Sequence, residues 1–302
     1  MREIDFPEKD QPLREDVRTL GALVGDMLAE QQGSEFLQKV EAVRTTAIKR
    51  REEYEGAEAE LHRLLTGMEA VDADRLVRAF TTYFQVVNLA EKVHRIRRRR
   101  DYQRRGEKAQ PGGLLAVMRE LGRHSYDDVM AVLDTLVIEP VMTAHPTEST
   151  RRTLLEKEQL ILRRLVDRLD PSRTPEEEFA ALQQIRAAIT SNWQTEMYPQ
   201  HRLSVQNEME HVLFYLTDVL YRVVPPFYES LRQALESVWD GVQDRPLPAL
   251  LSFGSWVGGD MDGNPNVTSS TIRLSLEYQR REIINKYLPE VRSLSRFLSQ
   301  SL

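Results

Sequence analysis

One histidine stands between an apolar run and a charged helical pattern, in Val141-Met142-Thr143-Ala144-His145-Pro146-Thr147-Glu148-Ser149-Thr150-Arg151-Arg152. An imidazole titrates near neutrality and can move a proton at a reacting group, while two adjacent arginines can hold an anion. Residues 136–142 are apolar and rich in β-branched side chains apart from Glu139 and Pro140, so the order strand, turn, helix is predicted. Pro146 fixes its own φ, has no N–H to donate, and pushes His145 into extended geometry. His145 would then leave the C-terminal end of a buried strand, where α/β barrels and open sheets carry working side chains. Spacing alone leaves a plainer reading open: a histidine at a helix start, with Arg151 and Arg152 as solvated charges.

A second stretch has the same strand-to-loop character: Gly254-Ser255-Trp256-Val257-Gly258-Gly259-Asp260-Met261-Asp262-Gly263-Asn264-Pro265-Asn266-Val267-Thr268. Asp260, Asp262 and Asn264 alternate as in a calcium loop. The position that needs glycine is Pro265, however, and the position that needs a bidentate acid is Thr271, so an EF-hand is excluded. Two readings remain from the pattern. The loop is a tight turn before a helix capped by Thr268, or Gly258 and Gly259 let backbone approach a phosphate or a second active-site loop.

Taken together, the motif around Thr143-Ala144-His145-Pro146-Thr147-Glu148 with Arg151-Arg152, and the glycine-rich motif, resemble the two N-terminal signatures of phosphoenolpyruvate carboxylases in sequence, order and separation. The resemblance extends over essentially the whole chain, including Ser191-Asn192-Trp193-Gln194-Thr195-Glu196 and Val224-Pro225-Pro226-Phe227-Tyr228. It covers only the N-terminal part of that family's longer polypeptide. It implies a mostly α protein whose few short parallel strands belong to an incomplete (βα)8 TIM-type barrel, with an N-terminal helical region at 1–135 and a partial barrel region at 136–302. One departure matters. The family commonly has arginine between the two aspartates, where this chain has Met261, which cannot pair with an anion.

The resemblance further implies carboxylation of phosphoenolpyruvate by bicarbonate, with His145 as the catalytic proton acceptor. Gly258, Gly259, Asp260, Asp262 and Asn264 are implied to form an active-site loop, and Arg151 and Arg152 part of an activator-phosphate site responding to phosphorylated or acidic metabolites. Mg²⁺ or Mn²⁺ is implied as cofactor, its ligands lying outside this chain, and the complete enzyme is implied to be a homotetramer. The isolated 302-residue chain is expected to be inactive, to expose strand edges and apolar helix faces, and to be poorly soluble or self-associating. A different class of function, a non-catalytic helical scaffold retaining these motifs, is the alternative.

Composition bounds these readings. With 41% hydrophobic and 29% charged residues there is ample material for a core. The net charge of −6 argues against general nucleic-acid binding, and the absence of cysteine excludes disulfides and thiolate metal sites. The first twelve residues are polar, and no run approaches membrane-spanning length, so a cytoplasmic protein without a membrane partner is expected. The run Arg95-Ile96-Arg97-Arg98-Arg99-Arg100-Asp101-Tyr102-Gln103-Arg104-Arg105 is the strongest charge anomaly. It reads as the solvated, cation-favouring end of a helix rather than a nucleic-acid surface.

Helical periodicity fills most of the rest. Leu13, Val17, Leu20, Val24 and Met27 recur at three- and four-residue steps, and Phe36, Val40, Val43 and Ala47 repeat them after a break at Gly33-Ser34. Val77, Phe80, Phe84 and Val87 are expected to form a core stripe on a third helix. Helices are also predicted at 114–121, from a cap at Ser125, through Leu155, Leu162, Val166 and Leu169, and from Thr174-Pro175 through Leu182, Ile185, Ile189 and Trp193. A cap at Ser204 opens a run expected to stop at Pro225-Pro226. Residues 241–248 are expected to be a linker, 249–256 a second buried strand, and the final helix, with Leu276, Ile283, Tyr287 and Leu294, is expected to break or kink near Pro289.

Overall fold

Helix starts in this chain are set by short-range chemistry. Ser125, Thr174, Ser204 and Thr268 each sit on extended backbone and accept a hydrogen bond from the N–H three residues ahead. At Thr174, Ser204 and Thr268 the side chain of that third residue accepts from the cap's own N–H, which closes a reciprocal box. Pro175 occupies the first turn, where a missing donor costs nothing.

A computed structural model describes residues 7–105, 109–143, 151–196, 204–242, 245–262 and 264–299. It is mostly helical, with two short parallel strands. Helices α1 (Gln11–Gln32) and α2 (Ser34–Arg51) are joined by Gly33 alone, at φ +88°. Then come α3 (Ala57–Leu65), α4 (Ala70–Arg105), α5 (Leu114–Leu121), α6 (Tyr126–Leu133) and strand β1 (Val141–Met142). Helices α7 (Arg152–Asp167) and α8 (Pro175–Trp193) precede α9 (Val205–Phe214), a π-helical stretch at Tyr215–Leu220, and α10 (Tyr221–Glu236). Strand β2 (Gly254–Ser255) and α11 (Ser269–Phe297) follow. No described helix is long and apolar enough to cross a membrane.

The chain divides into two compact units, residues 1–104 with 150–198 and residues 105–149 with 199–302. The first is a helical packing of α1, α2, α4, α7 and α8 around Leu20, Met27, Val93, Ile161, Leu165, Ile185 and Ile189, all almost fully removed from water. The stripe on α8 is the predicted one. On α4 it is displaced: Leu76, Ala79, Val86, Leu89, Ala90 and Val93 are buried, while Val77 and Phe84 are 66% and 58% exposed. Two apolar stripes run side by side on α4, and the one carrying Ala79 and Ala90 allows the closer helix approach. A similar offset occurs on α7, where Leu154, Ile161 and Leu165 are buried and Leu162, Val166 and Leu169 flank them.

In the second unit, Met118, Val129, Met130 and Leu133 from α5 and α6 pack against Leu231, Ala234 and Leu235 of α10, with Val242 and Leu250. Val242 falls in the expected linker yet is 1% exposed, because it fills this core rather than bridging two. Pro225 and Pro226 do not stop the helix. They lie inside α10, just past the π stretch, which has already re-registered the backbone ladder, so the chain stays helical to Glu236. Pro289 likewise lies inside α11, which runs on to Phe297. Leu276, Tyr287 and Leu294 on α11 are each more than half exposed, since no described part of this unit covers that face.

Candidate functional site

A parallel backbone ladder joins the two signature stretches. Ile138 N donates to Leu250 O at 2.7 Å, Ser252 N to Ile138 O at 3.1 Å, Gly254 N to Pro140 O at 3.1 Å and Trp256 N to Met142 O at 2.9 Å. Val141 is registered with Gly254 and Met142 with Ser255. Pro140 lacks a donor but serves here as an acceptor, as a strand with an open edge permits. Because the pairing is parallel, both strands run out at the same end, towards Thr143 on one and Trp256 and Val257 on the other.

The predicted strands are real but shorter than their apolar runs, and apart from Leu250 at the entry of the second they are not buried. Val137 and Val141 are 67% and 43% exposed, and Trp256 is also open to solvent. Among the described residues the two-stranded ribbon is packed only towards its ends, so burial of both faces along its length is not achieved. What anchors the ribbon lies at its ends. Tyr228 Oη accepts from Leu250 N at 2.7 Å and Leu251 N at 3.3 Å, which ties the entry of the second strand to α10. At the exit, Val257 is buried with Met209, Val212 and Leu213 of α9, and Met142, Leu216 and Tyr278 pack on the same cluster.

Gly258 follows directly at φ +79°. A Cβ built there would lie 2.7 Å from Ser275 Oγ and 2.9 Å from Ser275 Cβ, closer than side-chain carbons approach one another. Both the left-handed backbone and the contact with α11 therefore require glycine. Gly259 does neither: its φ is ordinary and a Cβ there would meet only Trp256 O at 3.7 Å. Beyond it the loop is braced from within. Asp260 Oδ1 accepts from Asp262 N at 3.0 Å, and Asn264 Oδ1 accepts from Asn266 N at 3.1 Å. Asp260, Met261 and Asp262 are solvent-exposed.

His145 lies outside the described residues, as does Gly263. Thr143, two residues before His145 in sequence, ends beside the strand that delivers Gly258. Among the described residues no group of three or more histidine, aspartate or glutamate side chains could hold a metal ion. Half-buried His211 of α9 stacks edge-on against Tyr215 at 5.2 Å, and burial holds its imidazole below the usual range.

Arg151 and Arg152 belong to the first unit. Arg151 is the residue before α7, and its Nη1 donates to Glu196 O at 3.2 Å, while Arg152 Nε donates to Glu156 Oε1 at 2.9 Å. Lys157 donates to Ser191 O at 3.0 Å, and Arg78 donates to the carbonyl oxygens of Trp193 and Thr195. Three cations therefore gather at the carbonyl end of α8, where the helix dipole favours them. Desolvation, then the charge of Arg151, holds the Lys157 ammonium below its usual range.

The sequence pattern that defines the family "Phosphoenolpyruvate carboxylase" matches residues 13–302. The chain belongs to the phosphoenolpyruvate carboxylase family. It is 53% identical over 299 residues to the phosphoenolpyruvate carboxylase of Xanthomonas oryzae pv. oryzae, covering 98% of this chain and 33% of the relative. The enzymes of Ralstonia nicotianae and an Azoarcus species are 39% and 38% identical, over 97% and 98% of this chain and 30% and 33% of theirs. The chain thus spans about a third of the length of the curated phosphoenolpyruvate carboxylases it matches. Sequence patterning singled out the family's glycine loop but gave no role to Tyr228 or Ser275, whose contacts lie 22 and 17 residues away.

Gly258→Ala is expected to lower the thermal stability of this chain by about 1–2 kcal/mol from backbone strain alone, with the Ser275 clash added, whereas Gly259→Ala stays near wild type. Paired melts of the two variants check this. Equal stability of both would show that the α11 contact does not constrain the loop.

Proposed function

We propose that this chain is the N-terminal portion of a phosphoenolpyruvate carboxylase and supplies two loops of its active site, the His145 loop and the glycine loop at 258–264. The observation that carries the proposal is the parallel ladder, which sends both signature stretches out at the same end of the ribbon. Within this reading β1 and β2 are early strands of a (βα)8 barrel, residues 1–135 form the helical region, and residues 136–302 begin the barrel. The exposed ribbon faces and the open face of α11 are surfaces that later barrel elements would cover.

The reaction is carboxylation of phosphoenolpyruvate by bicarbonate to oxaloacetate and phosphate. Bicarbonate oxygen attacks the phosphoryl group, which leaves an enolate and carboxyphosphate. The imidazole of His145 takes the carboxyl proton of carboxyphosphate as its C–O bond to phosphate breaks and CO₂ is released. The enolate carbon then attacks CO₂, and His145 returns its proton to solvent. Such an imidazole needs a pKa close to neutrality, because a stronger base would stay protonated and a weaker one would not accept the proton.

Mg²⁺ or Mn²⁺ is the cofactor of this reading. The described residues do not form a site for it, and Asp260 and Asp262 brace the loop rather than converge on a cation. The ligands are assigned to the part of the family's polypeptide that this chain does not span, along with the arginines that hold phosphoenolpyruvate. The 302-residue chain alone is therefore inactive in this proposal, and the complete protein is a cytoplasmic homotetramer. Met261 removes any anion contact made by the arginine usual at that position.

Arg151 and Arg152 form the activator-phosphate site in this reading, responding to phosphorylated or acidic metabolites. Arg151 already lies where cations converge at the end of α8, and a phosphate there would compete with the Glu196 carbonyl for its guanidinium.

In the family-length protein, His145→Asn is expected to abolish oxaloacetate formation while leaving partial bicarbonate-dependent phosphate release; unimpaired carboxylation removes histidine from the mechanism. Arg151→Ala is expected to leave the unactivated rate intact and shift the sugar-phosphate activation curve to higher concentration. An unchanged curve rejects the activator assignment.

A further inference from the structure

The arginine run at the end of α4 does not form a single surface. Arg97 turns inward, its Nη2 donating to Asp16 at 2.7 Å, with both side chains largely buried. Arg98 lies over the ring of Tyr102, 5.3 Å from its centroid, and within 3.8 Å of Asp101. Arg100 and Arg104, one helical turn apart on the same face, instead line a cavity of about 390 Å³ together with Val166, Asp167, Leu169, Asp170, Pro171 and Arg173. This partition corrects the expectation of a uniformly solvated helix end: part of the run is structural, and part faces a cavity.

The charge of the cavity is unbalanced. Asp167 is matched by Arg164, whose Nη1 lies 2.9 Å from it. Asp170 accepts from the backbone N and Oγ of Ser172, and these hydrogen bonds hold its carboxyl below the usual range, so it stays ionised. Against it stand Arg100, Arg104 and Arg173. Among the described residues, neither Arg100 nor Arg104 makes an ion pair or a side-chain hydrogen bond. Arg173 donates from Nη2 to Glu177 O at 2.7 Å, and its Nε is buried without a partner. An orphaned donor beside two uncommitted guanidinium groups is costly unless an anion supplies the acceptors.

We propose that this cavity binds a small anion bearing two or more phosphate-type charges, held by Arg100, Arg104 and Arg173 against the apolar wall of Val166, Leu169 and Pro171. The volume suits a small metabolite. A polynucleotide is the poorer fit, because Asp167 and Asp170 would repel a continuous backbone and Tyr102 is already covered by Arg98. The site uses none of the residues of the active-site loops or of the Arg151 cluster.

Calorimetric titration of the intact protein with inorganic pyrophosphate tests this. Saturable binding is expected, weakened about tenfold or more in Arg100→Ala/Arg104→Ala, the scale of losing charge-assisted hydrogen bonds. Arg99→Ala removes a neighbouring exposed charge that does not line the cavity and should bind as wild type. Asp170→Asn keeps the acceptor for Ser172 but removes the opposing charge, and it should bind pyrophosphate more tightly, a gain that misfolding cannot imitate. Absence of saturable binding, equal losses in Arg99→Ala and the double variant, or tighter binding of a short oligonucleotide than of pyrophosphate would each overturn the proposal.

Discussion

Four backbone hydrogen bonds between residues 138–142 and 250–256 join the two signature stretches of this chain. They link segments more than a hundred residues apart in sequence, so the entropy of closing that loop must be offset by what the contact brings with it. The ladder alone cannot do this, since an isolated two-stranded ribbon is marginal in water. The offset comes from its ends: Tyr228 receives two strand amides at the entry, and Val257 and Met142 enter the apolar cluster on α9 at the exit. Parallel pairing then has a geometric consequence. Two segments that are distant in sequence leave from one edge, and Gly258 turns the second at a positive φ and so close to Ser275 that only glycine fits.

Local chemistry in the sequence was the most legible part of the fold. The caps at Ser125, Thr174, Ser204 and Thr268, the Gly33 break and the start of α8 at Pro175 each depend on residues within one turn, and each stands where the pattern put it. Which face of a helix is buried depends on neighbours, and there the pattern slipped. Helix α4 offers two adjacent apolar stripes, and only the packing of α1, α7 and α8 selects the one with Ala79 and Ala90 over the one with Phe84. Pro225-Pro226 misled for a related reason, because the π stretch that accommodates them has no signature of its own in the sequence.

The site was legible by residue type but not by cause. Gly258 and Gly259 read alike in the sequence, yet one is fixed by a positive φ and a close approach to α11 and the other is free to vary. Asp260 and Asn264, which look like ligands because they alternate with Asp262, spend a side-chain oxygen each on the loop's own backbone. The arginine run divides in the same manner, into a buried ion pair, a stacked pair and two side chains facing a cavity. In each case one residue type serves two ends, and only the tertiary neighbours separate them.

The register of the ladder is the claim on which the common exit of the two loops depends, and the chain's lack of cysteine makes it directly measurable. Paired strands lie about 4.8 Å apart, within disulfide reach for register partners. Met142→Cys combined with Ser255→Cys should therefore cross-link readily under mild oxidation, while Met142→Cys with Leu251→Cys should not. Cross-linking of the shifted pair, or of neither, would contradict the parallel register and with it the exit of both strands at one end.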